Sequence, residues 1–283
     1  MVRNPLQRDA RTHGAGAVNR VFSRLRAIGG WCGFAALALL LGTTTRALAQ
    51  SANVETIERI KPSIVAVGTF ERLRNPEFQF RGTGFAVGDG SLIATNEHVV
   101  SAILDGEHDE SLAIAIRISG NEAQIRRARK VASEPSADLA LLKIDGPPLP
   151  ALQLGDSEKV REGEIYLFTG FPIGPVLGLV PATNRAMISA ITPIAMPAAR
   201  ASQLNARSIH RLSAGVFPVF QLDGTAYPGN SGSPVYDPQT GKVIGIVNMV
   251  FVKGTKEAAL TNPSGISYAI PADNLSELLA RTR

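Results

Sequence analysis

Tyr227-Pro228-Gly229-Asn230-Ser231-Gly232-Ser233-Pro234 is the stretch on which the reading of this 283-residue chain turns. A serine sits between two glycines, and prolines stand on either side of them. A serine that attacks a carbonyl needs a tight, exposed turn. It also needs backbone N–H groups free to receive the negative oxygen of a tetrahedral intermediate. Gly229 and Gly232 permit backbone angles closed to other residues and let a carbonyl approach closely. The same composition suits a Gly/Ser/Pro turn between two strands with no chemistry at all.

Outward from this turn the chain reads as β structure. Val216–Leu222 precedes it as an expected strand, and Ser233–Tyr236, Val243–Val252 and Ile266–Ile270 follow. Earlier come Ser63–Gly68, Gly82–Val87, Leu92–Thr95, Leu112–Ile118, Gln124–Val131, Leu139–Ile144, Ile165–Thr169 and Ala186–Ile191. All are rich in β-branched residues and separated by Gly, Pro, Asn and Asp. Helical patterns occur only near the ends, at Val54, Ile57 and Ile60 before Pro62, and at Asn274–Arg281. Many short strands with turn-rich spacing predict an all-β sandwich or barrel pair. Pro147-Pro148-Leu149-Pro150 marks the crossing between two β units, and Pro193–Gly215 reads as a loop. A G-x-S-x-G elbow belongs on a strand–helix turn. Here its fifth residue is Ser233 and strand–helix alternation is missing, which disfavours a lipase or esterase fold.

A serine is inert until a base removes its proton. After residue 50 the chain offers His98, His108 and His210. His108 lies in the charged run Glu107-His108-Asp109-Glu110, which fits a solvated loop and sets no metal-ligand geometry. His210 falls in the irregular loop. His98 stands in Leu92-Ile93-Ala94-Thr95-Asn96-Glu97-His98-Val99-Val100, where an apolar strand ends, so its imidazole is expected at the rim of a core. A base in turn needs a carboxylate to fix its tautomer. Asp138, immediately before the apolar run Leu139–Ile144, is the candidate; a strand-capping aspartate is the bland alternative. Asp145, at the far end of the same run, is assigned to a turn with Gly146.

A net charge of +5 invites a nucleic-acid partner, but its location argues otherwise. Residues 1–49 hold seven Arg, no Lys and one Asp, a net of +6. The remaining residues carry 22 basic and 23 acidic side chains, a net of −1. The basic residues precede a short apolar heart, Trp31 to Leu41, and then the small-x-small sequence Ala47-Leu48-Ala49. That order describes an export signal with cleavage after Ala49. The alternative is an uncleaved anchor, with the domain held at a membrane and facing outside the cytoplasm. Translation starting further downstream is a separate expectation, raised by the long basic region. Cys32, the one cysteine, lies in the leader, so residues 50–283 contain none and form no disulfide.

These segments together resemble the trypsin-like serine proteases of the HtrA (Deg) family. The likeness rests on Gly82-Thr83-Gly84-Phe85, Thr95-Asn96-Glu97-His98-Val99-Val100 and Ala137-Asp138-Leu139-Ala140-Leu141-Leu142-Lys143-Ile144-Asp145. It continues through Leu154-Gly155-Asp156-Ser157, Gly170-Phe171-Pro172-Ile173-Gly174, Gln221-Leu222-Asp223-Gly224, Pro228-Gly229-Asn230-Ser231-Gly232 and Ser267-Tyr268-Ala269-Ile270-Pro271. The resemblance implies an all-β, chymotrypsin-like double β-barrel over 50–283, with short helices at its two ends. It implies His98 as general base, Asp138 as its orienter and Ser231 as nucleophile. The N–H groups of Gly229 and Ser231 would form the oxyanion hole. No metal or cofactor is implied. The implied activity is an exported serine endopeptidase, periplasmic or secreted, acting on unfolded or misfolded polypeptides in protein quality control.

Two departures qualify the resemblance. Asn230 stands where digestive proteases use an aspartate, so activation by ion pairing with a new amino terminus is not expected. Only 12 residues follow Pro271, too few for the PDZ domain that many HtrA proteins carry. Thr225 takes the place of a trypsin-like pocket acid, and Asp223 is not read as one. With Ala226, Tyr227, Val247, Asn248 and Met249 as candidate walls, a small-to-medium apolar residue is expected before the cleaved bond. A homotrimer is implied by the family; Val54, Ile57 and Ile60 either supply that contact or pack on the barrel. The alternative to an enzyme is a catalytically silent binding or chaperone-like protein on the same fold.

Overall fold

The computed structural model describes residues 53–101, 110–119, 122–174, 178–193, 218–248 and 265–282. The leader with Cys32, His108, His210, Met249 and the loop at 194–217 lie outside the described residues. Helix α1 (residues 53–60) opens the described chain. Six strands follow: β1 (Ile64–Phe70), β2 (Phe78–Val87), β3 (Leu92–Asn96), β4 (Ser111–Ser119), β5 (Glu122–Glu134) and β6 (Leu139–Ile144). The short helix α2 (Glu97–Val100) interrupts them after β3. A second six are β7 (Ile165–Gly170), β8 (Ala182–Pro193), β9 (Pro218–Leu222), β10 (Pro234–Tyr236), β11 (Val243–Asn248) and β12 (Ser267–Pro271). Helix α3 (Ala272–Ala280) ends the fold.

Each set of six closes into an antiparallel barrel, in the orders β1-β2-β3-β6-β5-β4 and β10-β11-β12-β9-β8-β7. The fold is a chymotrypsin-like double barrel, as the sequence led us to expect. The Pro147–Pro150 segment falls between β6 and β7, where the chain crosses from one barrel to the other.

Side chains alternate faces along a strand, and here both faces are dry. In β6, Ala140, Leu142 and Ile144 fill the first barrel with Val65, Val67, Ile93 and Ile114. Leu139 and Leu141 point the other way, into a core shared with Tyr236, Val243, Ile246 and Ile270 of the second barrel. In β11, where a bulge leaves Ile244 without a partner on β10 and resets the alternation, Ile244 and Val247 fill the second barrel with Phe168, Ile188 and Phe220, while Ile246 joins the shared core. This explains why apolar residues dominate β6 and β11: each strand serves two cores. At about 1.5–3 kcal/mol for each fully buried large aliphatic side chain, the shared core is a major stabilising contact between the barrels.

Leu275 and Leu278 of α3 and Ile60 of α1 also enter the shared core. Ile57 packs against it in part, while Val54 is 52% exposed. Of the three apolar residues of α1, only Val54 is therefore presented to solvent. Arg59 Nη2 donates to the Thr240 carbonyl at 3.0 Å, tying α1 to the β10–β11 turn. Arg281, just past α3, reaches back to Glu134 of β5 at 2.7 Å. Among the described residues, no helix is long and apolar enough to cross a membrane.

Candidate active site

The register of β3 on β6 assembles half of the site. Their pairing runs from Leu92 opposite Lys143 to Asn96 opposite Leu139. One step past that last pair, the chain leaving β3 meets the chain entering β6, which brings His98 to Asp138. Sequence reading placed His98 at a strand end; the strand in fact stops at Asn96 and His98 sits on the single turn α2.

Asp138 is 1% exposed and carries a φ of 54°. Its carboxylate receives three N–H groups. His98 Nδ1 lies 2.6 Å from Oδ2, and the His98 backbone N–H donates to Oδ1 at 2.9 Å. Asn248 Nδ2 donates to Oδ2 at 2.8 Å. The Asp138 carbonyl accepts from Asn96 Nδ2 at 3.1 Å and from the Glu97 N–H at 3.0 Å. A buried carboxylate needs such donors, because removing it from water without them is strongly unfavourable. With an acceptor beside it, Nδ1 carries the proton, which leaves Nε2 as the basic nitrogen. Glu97 fastens α2 from the other side, accepting from Lys130 Nζ of β5 at 3.0 Å.

Ser231 stands on the second barrel, in the connection from β9 to β10. The turn is held by its own backbone: Asn230 N–H donates to Tyr227 and Ser233 N–H to Asn230, both at 2.9 Å. Gly232 N–H donates to Val247 and Val247 N–H to Ser233, extending the β10–β11 ladder up to the serine. Gly229 and Gly232 have φ of 104° and 89°, angles at which an L side chain is strained. A Cβ on Gly232 would also fall 2.0 Å from the Thr83 carbonyl oxygen. Among the described residues, the N–H groups of Gly229 and Ser231 have no hydrogen-bond acceptor. These are the two groups expected to face an oxyanion.

The structure thus joins His98 to Asp138 and places Ser231 on a turn packed against β2. No hydrogen bond links Ser231 Oγ to His98 among the described residues. Apo geometry of this kind commonly tightens only with substrate bound. Asn230 is buried, and neither atom of its side-chain amide has a partner among the described residues. Asp145 N–H donates to Arg127 in the turn that ends β6. Asp223 accepts from Met187 N–H at 2.6 Å, away from any pocket role.

Three of the expected pocket walls have other contacts. Val247 and Ala226 turn into the core of the second barrel, and Asn248 reaches Asp138. Those three side chains are engaged elsewhere, while Thr225 and Tyr227 are half-buried. Two further residues escaped sequence reading. Asn248, a candidate pocket wall by sequence, ends the apolar strand that borders the serine turn, which is the signal for its bond to Asp138. Thr83, within Gly82-Thr83-Gly84-Phe85, contacts the serine turn directly.

Two six-stranded barrels carrying a His–Asp pair and a glycine-flanked serine define a trypsin-like peptidase. The chain belongs to that family: the model of the trypsin-like peptidase domain matches residues 82–246. Within it the chain falls in the HtrA branch. It is 32% identical over 204 residues to a probable periplasmic DegP-like serine endoprotease of Pseudomonas putida (strain W619), covering 71% of this chain and 34% of the relative. A similarly named protein of Marinomonas sp. (strain MWYL1) is 30% identical over 195 residues, covering 68% and 33%. The HtrA-type protease AlgW, solved with a tripeptide, superposes with a TM-score of 0.56 at 28% identity, covering 81% of this chain and 62% of AlgW. The chain therefore spans about a third of the length of the curated relatives it matches.

Proposed function

We propose that this protein is an exported serine endopeptidase that cleaves unfolded or misfolded polypeptides. The observation that carries the reading is the hydrogen bond from half-buried His98 to buried Asp138, formed beside a serine turn whose Gly229 and Ser231 N–H groups lack acceptors among the described residues. In this mechanism His98 Nε2 takes the proton of Ser231 Oγ as the oxygen attacks the substrate carbonyl. Asp138 holds the ring and stabilises the imidazolium. The negative oxygen is received by the N–H groups of Gly229 and Ser231. Collapse of the intermediate breaks the peptide bond, and His98 returns the proton to the departing amine. Water, activated by the same imidazole, then frees the acyl group from Ser231. No step calls for a metal or cofactor.

Residues 1–49 are read as the export signal, in keeping with the periplasmic assignment in the relatives' names. A role in protein quality control follows from the same relationship. With Thr225 in place of a pocket acid, a small or medium apolar residue is expected before the scissile bond, with loose selection, since one methylene changes such pockets by about 1–3 kcal/mol. Incubation with β-casein, beside Ser231→Ala, tests the reading; equal cleavage by the two proteins overturns it. A fluorophosphonate probe separates an enzyme from a silent scaffold on the same fold. The enzyme is expected to be labelled at Ser231 and the scaffold left unmodified.

A further inference from the structure

We propose that Thr83, a residue of the first barrel, is a positioning residue that holds the oxyanion hole of the second barrel in shape. The inference rests on the endopeptidase reading above, since it concerns the same two N–H groups. Thr83 is fully buried on β2, and four hydrogen bonds meet at it. Its backbone N–H donates to the Ser231 carbonyl at 2.8 Å. Its Oγ1 donates to the Gly229 carbonyl at 2.7 Å. The Phe171 N–H donates to Oγ1 at 3.1 Å, and Thr95 Oγ1 donates to the Thr83 carbonyl at 2.7 Å.

The direction of the hydroxyl proton follows from its neighbours. Phe171 N–H can only donate and the Gly229 carbonyl can only accept, so Oγ1 must accept from the first and donate to the second. Thr83 therefore grips the carbonyls of Gly229 and Ser231, the same two residues whose N–H groups are left for the oxyanion. Gly229 has no side chain to fix it, and glycine visits both signs of φ readily. Thr83 Oγ1 fixes the carbonyl of the peptide unit that follows Gly229, and the N–H of that same unit, on Asn230, is held by the Tyr227 carbonyl at 2.9 Å. Phe171, which precedes Ile173 on the far side of the turn, shares the hydroxyl. Ile173 N–H holds the Pro228 carbonyl at 2.8 Å, so both flanks of Gly229 are tied. The first barrel contributes the base through His98 and, through Thr83, the shape of the hole.

Thr83→Val keeps the branched shape and removes the hydroxyl; Thr83→Ser keeps the hydroxyl and removes the methyl. For the valine variant we expect kcat on a peptide substrate to fall about 10- to 100-fold, with KM changed less than threefold. Fluorophosphonate labelling should slow in parallel, and the pH profile should keep its shape because the His98–Asp138 pair is untouched. The serine variant should recover to within about threefold of the parent, as the oxygen is what the geometry requires. Parent-like kcat and labelling in the valine variant overturn the assignment. If that variant fails to fold, the serine variant decides alone, and a loss above about tenfold overturns it. If the parent itself is not labelled while correctly folded, the endopeptidase reading fails separately. Crystal structures of parent and valine variant then still test Thr83, the inference standing only if the Gly229 carbonyl has turned.

Discussion

Read in the same direction, the two barrels run β1-β2-β3-β6-β5-β4 and β7-β8-β9-β12-β11-β10, so each strand has a counterpart six strands on. His98 follows β3, and Ser231 lies in the counterpart connection after β9. The two sites are nonetheless built differently. The His98–Asp138 pair is built within the first barrel by the β3–β6 register and by bonds to the Asp138 carbonyl from the Asn96 side-chain amide and the Glu97 backbone N–H. The serine turn leans on the other barrel, since Thr83 of β2 holds two of its carbonyls. One barrel carries a self-contained base, while its partner carries a nucleophile that needs a neighbour. In the opposite direction, the Asn248 side-chain amide of the second barrel donates to the Asp138 carboxylate.

The contrast can be broken or sharpened by substitution. His98→Ala removes the base outright, and casein cleavage should fall by about four or more orders of magnitude with little change in melting temperature. Leu141→Ala cuts into the core shared by the barrels and should cost about 2–5 kcal/mol of stability. Urea unfolding should remain a single transition, because the lost contact belongs to both barrels; two separated transitions would show the barrels to be independent. Asn248→Ala takes one of the three N–H donors from the Asp138 carboxylate and should lower kcat about tenfold. If kcat is unchanged, the base is even more self-contained than the geometry indicates.

The smallest effect is electrostatic and links α3 to the first barrel. The hydrogen bond from Ser136, and then that from Arg281, hold the Glu134 carboxyl below its ordinary value of 4.5. A carboxyl lowered on folding stabilises the folded state above its unfolded pKa, and that contribution is lost as pH falls through the folded value. Glu134→Gln should therefore melt slightly below the parent at pH 7, by under about 1 kcal/mol for so exposed a pair. The difference should shrink as the pH is taken below 4.5 and vanish once it has passed the folded value. A difference that persists there would assign the effect to packing instead of charge.

Much of this architecture was legible because several strands, β6 and β11 above all, bury both faces. Leu139–Ile144 was read with its observed bounds, as such a run leaves no ambiguity about where apolar residues stop. Strands with one wet face were read short: Gln124–Val131 proved to be Glu122–Glu134, and Gly82–Val87 begins four residues earlier, at Phe78. There the ladder continues through exposed residues such as Gln79 and Arg81, where composition gives little signal. His98 and Asp138 could be paired from their positions at strand ends. The roles of Asn248 and Thr83 could not, because both act across the barrel interface, and no local pattern encodes which strand of one barrel faces which turn of the other.

The φ of 54° at Asp138 bears on what else that position could hold. Left-handed backbone is tolerated by asparagine and aspartate far better than by other side-chain-bearing residues. Asparagine would inherit the turn intact and lose only the charge, whereas glutamate or alanine would bring backbone strain as well as altered chemistry. The position therefore admits few residues on conformational grounds, before chemistry is considered. A chain that drifted away from catalysis would still be expected to keep Asp, Asn or Gly there. Retention of this residue in a relative is a record of the turn as much as of the reaction.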